Sequence, residues 1–376
     1  MSLANEASLL LIPSGYKSGK VYSVFPTDGD GDFTFSRGSD GTRVGAGGLV
    51  ETISSNIPRL DYSNSDCPSL LLEPQRTNLV TQSEDLSTTW LKSGGVTLTS
   101  GQISPKGDTS AYKVQMTSGA NNYLYIGGGT NGVEYTISGY FKADSSINIG
   151  FSDGSVSPNS IDLTTDWKRF SFTFTRNGGG LQIDNYFGVS PSQQAKTFYV
   201  WGVQMEAGSY ATSYIKTTGS IITRQKDICI NGGDANLFNI SEGTLFVDTT
   251  PFEREATDRI TLSNNNYNNR IIISKVNATQ LQFFVISNNS TSLIYTPNIN
   301  YNSRNKIAIT FKQNEFKIYL NGLLKYTDPF GNVPTGLNDL SFKGIGNSLY
   351  WSGKIHDTRV YDRVLTQAEA IELTTL

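Results

Sequence analysis

The chain has 376 residues, enough for two or three domains at about 150 residues each. Its 37 glycines, 19 tyrosines and 19 phenylalanines, against three methionines and one histidine, describe turn-rich β-sandwiches and exclude a helical bundle or a disordered tail. A net charge of −3 supplies no general attraction to nucleic acid or to anionic membranes, so a DNA-reading role is excluded.

The first residues, MSLANEASLLLIPSGYKSG, lack a basic segment, and their apolar run ends at Pro13, so neither a signal peptide nor a membrane span is expected. Residues 9–12 and 20–25 read as short strands. The turn at residues 28–32, DGDGD, has the alternating oxygen ligands that open an EF-hand loop. Ser39 stands where the bidentate glutamate is needed, so the expectation is a tight turn without a metal. From residue 33 to residue 78 the chain is broken into short apolar runs by glycine pairs and Pro58, Pro68 and Pro74. Arg37, Arg43, Arg59 and Arg76 are spaced among them. No run is long enough for a helix, whereas short strands and sharp turns fit. Such a segment buries little by itself and needs a neighbouring surface, either the rest of this chain or other copies of it. The four arginines are candidates for an assembly interface.

Residues 81–227 are more regular. VEYTISGYFKA at 133–143, KRFSFTFTR at 168–176 and TFYVWGVQME at 197–206 alternate with period two and are β-branched or aromatic. Phe170, Phe172 and Phe174 fall on one face of a half-buried strand, with Ser171, Thr173 and Thr175 on the other. Residues 228–242 read as a linker, after which GTLFVDTT opens a second sandwich. Asn321 and Gly322 predict a two-residue hairpin turn. Thr366 and Glu369 predict a capping box on a short C-terminal helix. Cys67 and Cys229 fall in different predicted domains, without disulfide or zinc spacing, and read as two reduced residues.

Three stretches, SRGSDGTRVGAGGLVE, NIPRLDY and SLLLEPQRTNL, together resemble a block near the start of many bacteriophage virion proteins, mostly of tail or fibre type. Gly38 and Asp40 depart from that pattern. The middle of the chain, with Trp90, YTISGYFKA, DWKRFSFTF and FYVWGVQME in order, resembles jelly-roll carbohydrate-binding modules. AGSYATSYIKTTGSIITRQKD is similar to the exit peptide that such phage proteins use between their modules. The ending, with Trp351, Gly353, Ile355, Arg359, Val360, Tyr361, Arg363, Leu365, Thr366 and Glu369, resembles the closing strand and helix of laminin-G-like, concanavalin A-like domains. The resemblance implies a surface-displayed structural protein of a virion, assembled in the host cytoplasm beside other virion proteins, as a homotrimer.

Chemistry is sparse. Residues 150–154, GFSDG, match a nucleophile elbow, but no helix pattern follows and His356 lies in the other sandwich, so a β-turn is expected. Residues 127–132, GGGTNG, match a dinucleotide fingerprint but lead into a strand, leaving no helix N-terminus for a pyrophosphate. Glycoside hydrolysis needs two carboxylates about one bond. No Glu-x-Asp occurs, and Glu253 and Glu255 alternate in a loop-like context, so no catalytic residue and no cofactor are assigned. Sugar rings stack on aromatic faces, which makes Tyr123, Tyr125, Tyr350 and Trp351 candidates for binding carbohydrate.

The expectation is an all-β chain. Residues 1–80 form a short-stranded assembly region, residues 81–227 a jelly-roll, and residues 228–376 a concanavalin A-like sandwich with a short C-terminal helix. Its expected role is structural, with host-surface glycans as partners. The alternatives are a purely structural part without glycan binding and a polysaccharide depolymerase.

Overall fold

The computed structural model describes residues 2–63, 65–119, 122–153, 159–185, 194–238, 241–253, 258–346 and 349–376. Strands dominate, and no helix among these residues is long and apolar enough to cross a membrane. The chain divides into two units: residues 1–40, 53–74 and 225–376 form the first, and residues 41–52 and 75–224 the second.

In the first unit the N-terminal strands are built into a sandwich made mostly of C-terminal residues. Its larger sheet has eight strands. Leu323–Asp328, Glu315–Leu320, Asn305–Lys312, Glu242–Pro251, Gly353–Tyr361, Ser69–Leu72 and Leu60–Asp61 lie in that order. Leu9–Leu11 also pairs with Gly353–Tyr361, so one C-terminal strand carries Leu9–Leu11 along one half and Ser69–Leu72 along the other. A five-stranded sheet runs Ser290–Tyr295, Gln280–Ser287, Arg270–Asn277, Arg259–Ser263 and Asp339–Ser341. Between them Leu9, Leu11, Leu70 and Leu72 share one core with Val247, Ile273, Phe283 and Ile355. Burying each such leucine is worth about 1.5–3 kcal/mol, which is why these short strands hold.

The boundaries expected at 80/81 and 227/228 therefore do not mark where the chain divides. The broken N-terminal segment finds its surface on the rest of this chain. The stretch read as a linker is partly regular: Ile228–Ile230 pairs with Phe33–Ser36, and Ala235–Phe238 is a helical turn. Cys67, exposed, and Cys229, buried, are both free and both in the first unit, not in separate domains.

The second unit has two five-stranded sheets. One runs Val96–Gln102, Ala111–Met116, Lys196–Ala207, Glu134–Lys142 and Lys168–Thr175. The other runs Leu91–Ser93, Tyr123–Gly127, Gly180–Asp184, Ile147–Ser152 and Asn159–Leu163. Trp90, Leu124, Ile126, Phe141, Phe151, Ile183, Phe198 and Met205 fill its core, and Phe170, Phe172 and Phe174 lie along one side of it. Local signals behave as read. Asn321 and Gly322 take φ of 50° and 78° in a two-residue turn joining Leu320 to Leu323. Thr366 and Glu369 make a reciprocal capping box on Gln367–Thr374.

Two of the four N-terminal arginines are structural. Arg37 and Arg59 are 1% and 0% exposed. Asp227 accepts from Arg37 Nη1 at 3.1 Å, from Arg59 Nη2, and from the Glu73 amide at 2.9 Å. Arg59 Nη1 also meets Glu73 Oε2 at 2.7 Å. Arg37 spends its other hydrogens on the carbonyls of Ser39, Ile53, Ser54 and Ile57. Two desolvated guanidiniums cannot also meet another chain, so these two drop out of the expected assembly interface. Arg43 pairs with half-exposed Glu51 at 3.0 Å, and Arg76 lies 3.7 Å from Glu206.

Asp227→Asn leaves two buried guanidiniums facing one carboxylate. The expected cost is about 3–5 kcal/mol in denaturant unfolding of the full chain. Arg43→Ala, which breaks a partly solvated pair, is expected to stay within about 1 kcal/mol.

Candidate functional site

The strand Tyr123–Gly127 alternates between core and outer face. Leu124 and Ile126 point into the core of the second unit, which sends Tyr123 and Tyr125 to the outer face of its sheet, both half-buried. Register places Tyr125 opposite Gln182 and Tyr123 opposite Asp184 on one side, with Leu91 and Ser93 on the other. Beyond Gln182 and Asp184 come Ser152 and Gly150. At one end Gly127 pairs with Gly180, where a Cβ would fall 2.3 Å from the Ile126 carbonyl oxygen. The close approach of the two strands therefore needs glycine. Leu91, flanking Tyr125, is 64% exposed.

The polar groups on this face are ordered from behind. Asp184 is 1% exposed, and its Oδ1 accepts from Gln182 Nε2 at 2.7 Å. That bond holds the Gln182 amide while leaving its oxygen and second hydrogen unspent on Asp184. Asp184 Oδ2 has no donor among the described residues, and neither does the Oδ1 of buried Asn185. Burial pushes the Asp184 carboxyl up to about 6, against the opposing pull of the Gln182 hydrogen bond. Two rings and a held amide can stack on C–H faces and exchange hydrogen bonds with hydroxyls. Gln182 and Asp184 were not singled out in the sequence, although the alternation in LQID already assigns them to one face.

The other aromatic pair is not a matching platform. Trp351 is 1% exposed in the core of the first unit, with Lys275 Nζ 4.9 Å from its ring centroid, so it is removed from the carbohydrate candidates. Tyr350 is half-buried, and Lys226 Nζ sits 4.0 Å over its ring. A buried trio not foreseen lies beside Trp351. Lys275 Nζ donates to Asp258 Oδ2 at 2.9 Å, to the Ser352 carbonyl at 2.6 Å and to Ser352 Oγ at 2.8 Å. Burial lowers this lysine to about 8, yet all three ammonium hydrogens are spent, which makes it a strut.

The remaining motifs resolve into structure. His356 Nε2 lies 2.9 Å from Thr250 Oγ1, and burial lowers it to about 4, leaving it neutral at pH 7. Ser152 closes the strand Ile147–Ser152, while Gly154 of the elbow motif lies outside the described residues. The glycine-rich stretch 127–132 leads directly to the strand Glu134–Lys142. In the acidic turn Asp32 is engaged by Lys20 Nζ at 3.2 Å and by the Ser23 amide at 3.0 Å. Glu255 falls outside the described residues, and Glu253 accepts from Asn302 Nδ2 at 3.3 Å.

Residues 230–370 match the family model described as the concanavalin A-like lectin/glucanases superfamily. Among solved structures, the chain is similar to the CBM40 of the Ruminococcus gnavus IT-sialidase bound to α2,3-sialyllactose. Identity is 17%, covering 38% of this chain and 86% of that one, with a TM-score of 0.33. It is also similar to domain 4 of AbnA, a GH43 extracellular arabinanase from Geobacillus stearothermophilus, in complex with arabinotriose. There identity is 16% over 45% of this chain and 84% of that one, with a TM-score of 0.32. A third likeness is the heptameric SAP-like pentraxin of Limulus polyphemus, at 19% identity over 35% and 69% of the two chains, with a TM-score of 0.30. A search of the curated proteins found no match. These structural likenesses are partial and shallow. The C-terminal stretch of this all-β chain, residues 230–370, is a concanavalin A-like domain.

Proposed function

We propose that this chain is a non-enzymatic structural protein of a virion, and that it binds host-surface glycans through the outer sheet face bearing Tyr123 and Tyr125. The observation that carries the glycan reading is the juxtaposition on that face of two half-buried tyrosines with Gln182, whose amide is held by buried Asp184. A pyranose would lay its C–H face on the rings and exchange hydrogen bonds with the Gln182 amide. The virion reading rests on the collinear resemblance of SRGSDGTRVGAGGLVE, NIPRLDY and SLLLEPQRTNL to phage tail and fibre proteins. The same resemblance supplies the homotrimer and the other virion proteins as partners. The non-enzymatic reading is supported by a chain with one histidine and no Glu-x-Asp motif. A single contact of this kind binds near millimolar, about −4 kcal/mol, and multivalent display raises avidity by about 10²–10⁴.

The test is a glycan array probed with the full chain on a multivalent support. Binding is expected, and the Tyr123→Ala/Tyr125→Ala variant is expected to lose at least about tenfold, or about 1.4 kcal/mol. Absence of any binding at high valency would leave the purely structural role. Release of reducing ends from host polysaccharide would identify a depolymerase instead. Antibody-labelled imaging of virions tests the location, and sedimentation the trimer.

Asp184 also makes a pH prediction. Its folded value of about 6 lies above the ordinary 3.8, so the folded state keeps a proton that the unfolded chain has released. Its contribution is present at low pH and is lost as pH rises from about 4 to about 6, a change of about 3 kcal/mol. Unfolding of Asp184→Asn followed across that range is expected to lack this slope.

A further inference from the structure

Arginines in this chain are commonly held by carboxylates. Arg37 and Arg59 meet Asp227, Arg304 meets Asp248, Arg359 meets Asp357, and Arg363 meets Glu6 and Glu369. Arg259 and Arg270 are different. They stand on neighbouring antiparallel strands of the five-stranded sheet of the first unit, Arg259 opposite Ser274 and Arg270 opposite Ser263. Ile260, Leu262, Ile271 and Ile273 point into the core, so alternation sends both arginines to the outer face, where each is half-buried. Among the described residues no carboxylate acts on either guanidinium, and Arg259 Nε, Arg270 Nε and Arg270 Nη1 are buried without a hydrogen-bond partner. The nearby carboxylates are engaged elsewhere. Asp258 accepts from Lys275 Nζ and Ser352 Oγ, and Asp339, two strands from Arg270, accepts from Ser341 Oγ.

The two charges are held close to one another. Burial, and then the charge of Arg259, lower the proton affinity of Arg270 from its ordinary value, and burial lowers that of Arg259. Local packing fixes both. Arg270 Cζ lies 5.0 Å from the centroid of the Tyr267 ring, and the Tyr267 hydroxyl donates to the Ile345 carbonyl at 3.3 Å. Gly344 covers the stem of Arg259, where a Cβ would fall 3.2 Å from Arg259 Cδ, and the Arg259 amide donates to the Leu349 carbonyl at 3.1 Å. Asp339 and Lys343 offset one another, so the charge of the two arginines stands uncompensated. Water takes the hydrogens of a guanidinium, but being neutral it does not cancel the repulsion between two of them. An anion does, and the count of charges sets its class. A carboxylate brings one negative charge against two cations. A phosphate monoester brings about −1.5 to −2 at pH 7, with three acceptor oxygens that guanidinium forks match bidentately.

We propose that Arg259 and Arg270, with Tyr267 beside them, form a binding site for a phosphate monoester. The site is independent of the tyrosine-bearing face, because all three residues belong to the first unit.

The experiment is calorimetric titration of the full chain with glycerol 3-phosphate, in a phosphate-free buffer containing a chelator. Binding is expected with a Kd on the order of millimolar, weakening as sodium chloride is added. Acetate is expected to bind at least about tenfold more weakly, and Arg259→Gln and Arg270→Gln should each weaken glycerol 3-phosphate by at least about tenfold. Each substitution removes one of two mutually repelling charges, so the Tm without ligand should not fall. A loss of binding there is then not a loss of fold. The Tyr123→Ala/Tyr125→Ala variant should bind unchanged. Cosedimentation with phosphatidylcholine vesicles, with and without phosphatidic acid, separates the sources of the group. Additional pelleting that needs phosphatidic acid and both arginines assigns a lipid headgroup, whereas titration by glycerol 3-phosphate without pelleting assigns a soluble ester. No titration by glycerol 3-phosphate, full affinity in either arginine variant, binding only when calcium is supplied, or acetate binding as tightly would each overturn the proposal.

Discussion

The first unit depends on a buried ionic cluster. Asp227 takes Arg37, Arg59 and the Glu73 amide on one carboxylate, and Glu73 returns to Arg59. The groups come from four separate stretches of chain. Burial alone would lower the affinity of the Arg59 guanidinium for its proton, and the two carboxylates more than reverse that, so it stays charged. Buried charge is costly unless every partner is in place, so the cluster tolerates one arrangement of these stretches and penalises others. The leucine strands supply most of the attraction holding the N-terminal segment to the sandwich. The cluster supplies the register.

This arrangement changes what the N-terminal segment is for. Broken apolar runs with arginines interspersed among them are equally suited to docking on another copy or on the rest of the same chain. Here they dock on the same chain: Leu9–Leu11 and Ser69–Leu72 share the strand Gly353–Tyr361, and Phe33 and Phe35 enter the same core as Cys229 and Phe342. The ring of Phe33 stacks on Phe342 with centroids 5.4 Å apart.

Both units also place polar side chains on an outer sheet face and then bury them. Asp184 behind Gln182 is one case, and Thr261 with Asp339 the other. In each, an acceptor or hydroxyl has no partner among the described residues. A core would not retain such groups, because replacing them with apolar atoms removes a desolvation cost.

Period-two alternation, the Asn321-Gly322 turn and the Thr366–Glu369 capping box were legible in the sequence because each is decided by neighbours within a few residues. The ending that resembles laminin-G-like domains was legible for the same reason, and the match over residues 230–370 agrees with it. Which arginines are buried, that Trp351 is core while Tyr123 and Tyr125 sit half-buried on an outer face, and that residues 1–40 and 53–74 join residues 225–376 were decided only by the tertiary structure. Alternation assigns a side chain to one of two faces. Whether that face meets solvent, a covering loop or a strand some 290 residues away, as Asp61 meets Lys354, depends on contacts between segments that local sequence does not encode.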